Sequence, residues 1–196
     1  MKFSRRDFAK ILPIGALMPA HILNKIAQEY GGEGANIQTS GILANIDKVY
    51  DEAIVVDGIV ITRNWDEASD KALSQSGYTG FNASLDSGSL RRALKTLSEW
   101  HLRIKNNPDR FIGATSADHF IQAKKENKVA VMMGFQNTTM VENNLDNLDI
   151  LYQAGTRWIQ LTYNQRNLVG DGCTERTNVG LSDYGIELVE RMNELG

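Results

Sequence analysis

The spacing of apolar residues changes period along residues 128–167, and the change lays out a strand, a helix and a second strand. Val129 to Phe135 is an unbroken apolar run bounded by Lys128 and Gln136. It is too short for a helix and suits a strand buried on both faces. After Asn144, a capping residue, apolar positions recur at helical spacing at Leu145, Leu148, Leu151 and Tyr152, and Gly155 offers a left-handed stop. Residues 158–162 return to a strand pattern. Two strands joined through a helix make a parallel, right-handed unit.

The same alternation extends in both directions. Residues 53–62, AIVVDGIVIT, are rich in β-branched side chains and read as the first strand. Residues 66–76 follow as a short helix, and 78–85 as a weaker strand containing Gly80. Ser87 or Ser89 caps a long helix reaching about Lys105, with Leu90, Leu94, Leu97, Trp100 and Ile104 on one face. Asn106, Asn107 and Pro108 stop it, and a shorter helix over 116–127 starts at Ser116. A long loop over 165–180 leads to a last helix capped by Ser182 and carrying Ile186, Val189 and Met192. Strand and helix thus alternate four times, without hairpin signals or a short repeat, which predicts a parallel α/β fold. A complete (β/α)8 barrel takes about 250 residues, so four units amount to half of one. Half a barrel has two open edges, and self-association is expected, with pairing as a homodimer.

Composition narrows the picture. With 196 residues the chain is long enough for one sizeable core. The net charge of −3 is spread over interspersed acids and bases, which argues against a nucleic-acid surface. Cys173 is the single cysteine, so neither an internal disulfide nor a cysteine metal cluster forms. At the N-terminus, Ser4-Arg5-Arg6-Asp7-Phe8-Ala9-Lys10 precedes a weakly apolar stretch over 11–23, interrupted by Pro13, Gly15 and Pro19. The pattern resembles a twin-arginine signal and implies export to the periplasm by the Tat export machinery. The apolar stretch is too short and broken for a membrane span, and no small-x-small cleavage site follows, so a membrane tether stays open as an alternative. The expected organisation is a signal segment over 1–30, a glycine-rich linker over 31–45 and the half-barrel over 46–196.

In parallel α/β folds the chemistry sits where strands end. Those ends offer Thr62 and Asn64; Asn82, Ser84 and Asp86; Gln136, Asn137 and Thr138; and Tyr163, Asn164 and Asn167. Nearly all are neutral hydrogen-bonding groups, suited to orienting an amide, carboxylate or sugar rather than to acid–base work. Gln136, Asn137, Tyr163 and Asn164, at the exits of the third and fourth predicted strands, are the candidate substrate-binding residues. No metal ligands are assigned. His21 lies in the export segment, His101 in the long helix, and His119 at the start of a short helix, on the side away from the strand exits. Asp86 and Asp171 read as turn formers. Gly170-Asp171-Gly172 lacks the strand-to-helix context of a phosphate loop.

Three collinear stretches, KVAVMMGFQN, LDILYQAGTRWIQLTYNQRN and GLSDYGIELVERMNELG, resemble the membrane (renal) dipeptidase family. That resemblance implies a TIM barrel, a two-zinc centre and hydrolysis of dipeptides or related small amides. The family's first strand ends in Asp-Gly-His-Asn-Asp, whose His and last Asp bind metal. The matching residues here are Asp57-Gly58-Ile59-Val60-Ile61, so Ile59 and Ile61 hold the ligand positions. Gln136 stands where the family has a metal-bridging glutamate, and Tyr163 where it has a substrate-contacting histidine. The family's remaining metal histidines correspond to positions beyond Gly196. The resemblance therefore implies at most one zinc in the full-length protein, and this portion alone is expected to be inactive. Two other readings use the same scaffold: a non-catalytic barrel binding a small ligand, and an enzyme of another reaction class.

Overall fold

The computed structural model describes residues 48–196, and the expected export segment and linker lie outside the described residues. Five strands form one parallel sheet: β1 (Val56–Ile61), β2 (Gly80–Leu85), β3 (Phe111–Ala114), β4 (Val129–Phe135) and β5 (Thr156–Ile159). The helices after β1 are α1 (Glu67–Ser76), α2 (Leu90–Asn106), α3 (Ala117–Glu126), α4 (Asp146–Gln153) and α5 (Asp183–Leu195), with a 3-10 turn at Thr139–Val141. The arrangement is a partial (β/α)8 barrel. β1 pairs with β2, and β2 with β4. On its other side β4 is shared, with β3 along residues 129–132 and β5 along 133–135.

β3 is a correction to the predicted four strands. Its four residues, Phe-Ile-Gly-Ala, carry too little β-branched character to stand out after the Asn107-Pro108 stop, and pairing with β4 makes the strand. The last strand also lies two residues earlier than its apolar pattern, at Thr156–Ile159, with Gln160 N–H still donating to Phe135 C=O.

Alternation along the strands separates two faces. Phe81, Ala83 and Leu85 of β2, with Val131, Met133 and Phe135 of β4, are at most 6% exposed. They join Ala93, Leu97 and Trp100 of α2, Leu148 and Leu151 of α4, and Leu188 of α5 in the main core. Trp65 stacks on Phe81 at 5.7 Å, and Trp100 meets both rings edge-on. Each large side chain so buried contributes about 1.5–3 kcal/mol. On the opposite face, Ala114, Ala123 and Ala130 form a small cluster, with Ile112, Phe120 and Met132 packed against it. Phe120 lies where a side chain at Gly80 would stand, so α3 covers the N-terminal half of that face. Above it come Asn82 and Ser84 on β2, in register with Met132 and Gly134 on β4.

Local signals explain the helix starts. Asp66 and Ser69 form a reciprocal capping box on α1. Ser89 accepts from Arg92 N–H on α2, and Ser182 from Gly185 N–H on α5. Asn144 Oδ1 accepts from Asp146 N–H at 3.0 Å, and Gly155, at φ +96°, follows the end of α4. α5 keeps Met192 of its expected face against the core, but Gly185 and Leu188 are the buried residues and Ile186 is exposed. The cause is Gly185, whose missing side chain lets the helix seat directly on the Val169 carbonyl.

Candidate functional site

The strand exits are tied together by short side chains. Thr62 Oγ1 donates to Ser84 C=O at 2.9 Å, joining β1 to β2. Ser84 Oγ donates to Gln136 Oε1 at 3.0 Å, joining β2 to β4. Ile61 pairs with Ser84, and Ser84 with Gly134, so the ends of three strands share one level. Trp158 of β5 lies over Gly134, whose missing side chain leaves room for the indole. Ile59 and Ile61 stand 42% and 60% exposed on the edge strand.

Asn167 organises the exits of β4 and β5. Its Nδ2 donates to Asn137 Oδ1 at 2.7 Å, Thr138 Oγ1 at 3.0 Å and Leu161 C=O at 2.8 Å. Its Oδ1 accepts from the N–H groups of Val169 and Gly170, at 2.8 and 3.2 Å. Thr138 Oγ1 also donates to Leu161 C=O at 2.8 Å. One side chain thus staples the two exits to the start of the long loop.

That loop is built on Asp171. Its carboxylate takes the Arg166 guanidinium, the Thr177 hydroxyl at 3.2 Å and Val179 N–H at 3.2 Å. The Arg166 hydrogen bond comes first among the effects that hold the Asp171 carboxyl below its ordinary value, and burial opposes it. Asn164 C=O accepts from both the N–H and the hydroxyl of Thr174, and Tyr163 C=O from Cys173 N–H at 2.9 Å. The loop thereby folds back on the β5 exit.

The result is an open cavity of about 450 Å3 lined by Asn137, Tyr163, Asn164, Gln165 and Thr174. Three of the four predicted substrate-binding residues, Asn137, Tyr163 and Asn164, meet there. Gln136 does not line it; its carbonyl is engaged by Ser84. Asn137 uses its carbonyl for Thr138 N–H and Asn167, leaving its amide N–H groups for the cavity. Asn167 and Ser84 were legible only as exit residues, since their partners are up to 52 residues away.

The two histidines among the described residues, His101 and His119, play structural parts, and His21 lies outside them. His101 Nε2 bonds Ala154 C=O at 2.8 Å, fixing α2 to the end of α4. His119 Nδ1 lies 2.9 Å from Ser116 Oγ and 3.4 Å from Thr115 N, at the first turn of α3. It therefore follows a strand exit, that of β3, contrary to its expected place; the expectation lacked that strand. Among the described residues no three or more His, Cys, Asp or Glu come together in a way that could hold a metal ion.

Over residues 22–196 the chain matches the family described as Membrane dipeptidase (Peptidase family M19). The chain belongs to this family. An amidohydrolase from Pseudomonas aeruginosa is similar in structure at 30% identity, with a TM-score of 0.70 over 76% of this chain and 46% of that one. The probable dipeptidase PvdM from the same organism shares the fold at 16% identity, with a TM-score of 0.61 over 80% of this chain and 48% of that one. An uncharacterised dipeptidase of Schizosaccharomyces pombe is 35% identical over 96 residues, 46% of this chain and 23% of that protein. As an M19 family member, the chain spans about half the length of these solved relatives and about a quarter of the curated one.

Proposed function

We propose that this chain supplies the N-terminal half of a dipeptidase-like hydrolase that acts on a dipeptide or related small amide. The observation that carries the reading is the convergence of Asn137, Tyr163 and Asn164 on one cavity at the β4 and β5 exits of an M19 family fold. The Asn137 amide and the Tyr163 hydroxyl donate to carbonyl oxygens of the ligand, and the Asn164 side chain offers both a donor and an acceptor. Gln136, held by Ser84 through its carbonyl, presents its N–H groups at the adjacent exit.

The zinc centre implied by the family does not fit the residues at the resembling positions. Ile59 and Ile61 have no donor atoms. Gln136 is neutral, and its one carbonyl already accepts the Ser84 hydroxyl, where a bridge between two cations needs a charged carboxylate. We therefore assign no step through a metal to these residues and expect at most one zinc in the full-length protein. A second reading, a barrel that binds its ligand without turnover, is favoured by the same two isoleucines.

Gln136→Ala separates a site role from a packing role. In the full-length protein it should lower kcat/KM for dipeptide hydrolysis about tenfold, the worth of one hydrogen bond, beyond a stability cost of about 1 kcal/mol for the Ser84 hydroxyl that loses its acceptor. Unchanged hydrolysis would remove Gln136 from the site; ligand binding without any hydrolysis in the unaltered protein would favour the second reading.

Export through the twin-arginine route rests on Ser4 to Lys10. Replacing Arg5 and Arg6 together by Lys should leave the protein in the cytoplasm, and a normal periplasmic level of that variant would refute the route.

A further inference from the structure

A side-chain amide has two unlike ends: its carbonyl only accepts hydrogen bonds and its NH2 only donates them. Which end of Asn137 faces the cavity at the β4 and β5 exits therefore decides what that cavity can hold. The choice is made outside the cavity, at Asn167. Asn167 Oδ1 lies 2.8 and 3.2 Å from the main-chain nitrogens of Val169 and Gly170, which can only donate. Asn167 Nδ2 lies 2.8 Å from the Leu161 carbonyl, which can only accept. Backbone groups on both sides thus fix which way round Asn167 stands, and exchanging its two ends would satisfy neither side.

The orientation is then passed on. Asn167 Nδ2 donates to Asn137 Oδ1 at 2.7 Å, and Thr138 N–H donates to the same oxygen at 2.8 Å. Two donors hold the Asn137 carbonyl, so its NH2 is the end left for the cavity. The point of reference is rigid. Val169 is 1% exposed, and its carbonyl accepts from Ser182 N–H at 2.9 Å. α5 seats on that carbonyl where Gly185 has no side chain. The polarity of Asn137 is in this way tied to the core rather than to the open part of the loop.

We propose that Asn167 is a positioning residue that sets the hydrogen-bond polarity of the cavity, holding Asn137 with its N–H groups toward the carbonyl oxygen of a small amide. Asn167 does not line the cavity and acts through Asn137. The identity of the ligand rests on the hydrolase reading, whereas the orientation of Asn137 rests on the bonds around Asn167.

The test reads side-chain amides by NMR and ligand preference by calorimetry, both on the 196-residue chain. In the unaltered chain the Asn137 NH2 protons should exchange freely with water, while those of Asn167 are protected. Asn167→Asp keeps an oxygen for Val169 and Gly170 but puts a second oxygen where the NH2 stood, so Asn137 turns round and its NH2 protons become protected. Titration uses glycyl-L-alanine and its thioamide analogue, whose sulfur accepts poorly. The unaltered chain should favour the amide about fivefold, the worth of one neutral hydrogen bond, and Asn167→Asp should erase that preference. Should Asn167→Asp fail to fold, Asn137→Asp decides. It keeps both bonds that hold the carbonyl and presents an oxygen to the cavity, so the amide should bind about tenfold more weakly, with no preference over the thioamide. Protected Asn137 protons in the unaltered chain, or a preference for the amide that survives either variant, overturns the proposal. The hydrolase reading fails separately. If neither peptide binds while the Asn137 protons behave as stated, the positioning role stands and the small amide falls as its ligand.

Discussion

At the scale of single residues, the fold hangs on a few short polar side chains, and Asn167 carries the most. Its amide serves three acceptors on two strand exits, while its carbonyl serves two N–H donors of the following loop. Asn167→Ala should destabilise the protein by about 2–3 kcal/mol, because it orphans part-buried groups on both sides. A urea midpoint equal to that of the unaltered chain would refute this. The sequence placed Asn167 at a strand exit but could not show its role, which depends on Asn137 and Thr138, 30 and 29 residues away. Caps were legible for the opposite reason. Ser89 and Ser182 bond N–H groups three residues on, so spacing alone reveals them.

At the scale of elements, the long helix and the buried strand were legible because each has one dominant period. α2 buries Leu97 and Trp100 as its spacing predicts, and Val131 and Phe135 of β4 are fully buried. β3 was not legible, since a four-residue strand is defined by its partner rather than its composition. The long loop, expected over residues 165–180, was visible only as a gap between elements and Asp171 only as a turn former, yet Asp171 orders it. The folded carboxyl of Asp171 lies below its ordinary value of 3.8, chiefly through Arg166. Its contribution to loop order is therefore complete above that ordinary value and is lost as pH falls through the lower folded value. Protection of the Val179 amide from hydrogen exchange, corrected for intrinsic rate, should fall on acidification below about pH 4. Asp171→Asn should lose much of that protection already at neutral pH. Equal protection in both proteins across the range would dismiss Asp171 as the organiser.

At the scale of the whole molecule, the family fold and the chemistry proposed for this chain part company. The M19 family fold is present in its strand order, its helical outer layer and the level strand exits. The side chains on those exits are another matter: Ile61 lies beside Ser84, and Ser84 holds the Gln136 carbonyl. This arrangement suits an organic ligand and offers a cation no charged oxygen at the first-strand positions. The cavity at Asn137, Tyr163 and Asn164 was readable as a set of exit residues, whereas the separation of Gln136 from it follows from a bond to β2 that no spacing discloses. The central claim is that the first-strand metal position has been given up. It is tested most directly by the zinc stoichiometry of the purified full-length protein, measured by plasma mass spectrometry after zinc loading and gel filtration. The account predicts no more than one zinc per chain, with Gln136→Glu leaving that number unchanged because Ile59 and Ile61 still supply no ligand. Two tightly held zinc ions per chain in the unaltered protein would contradict it.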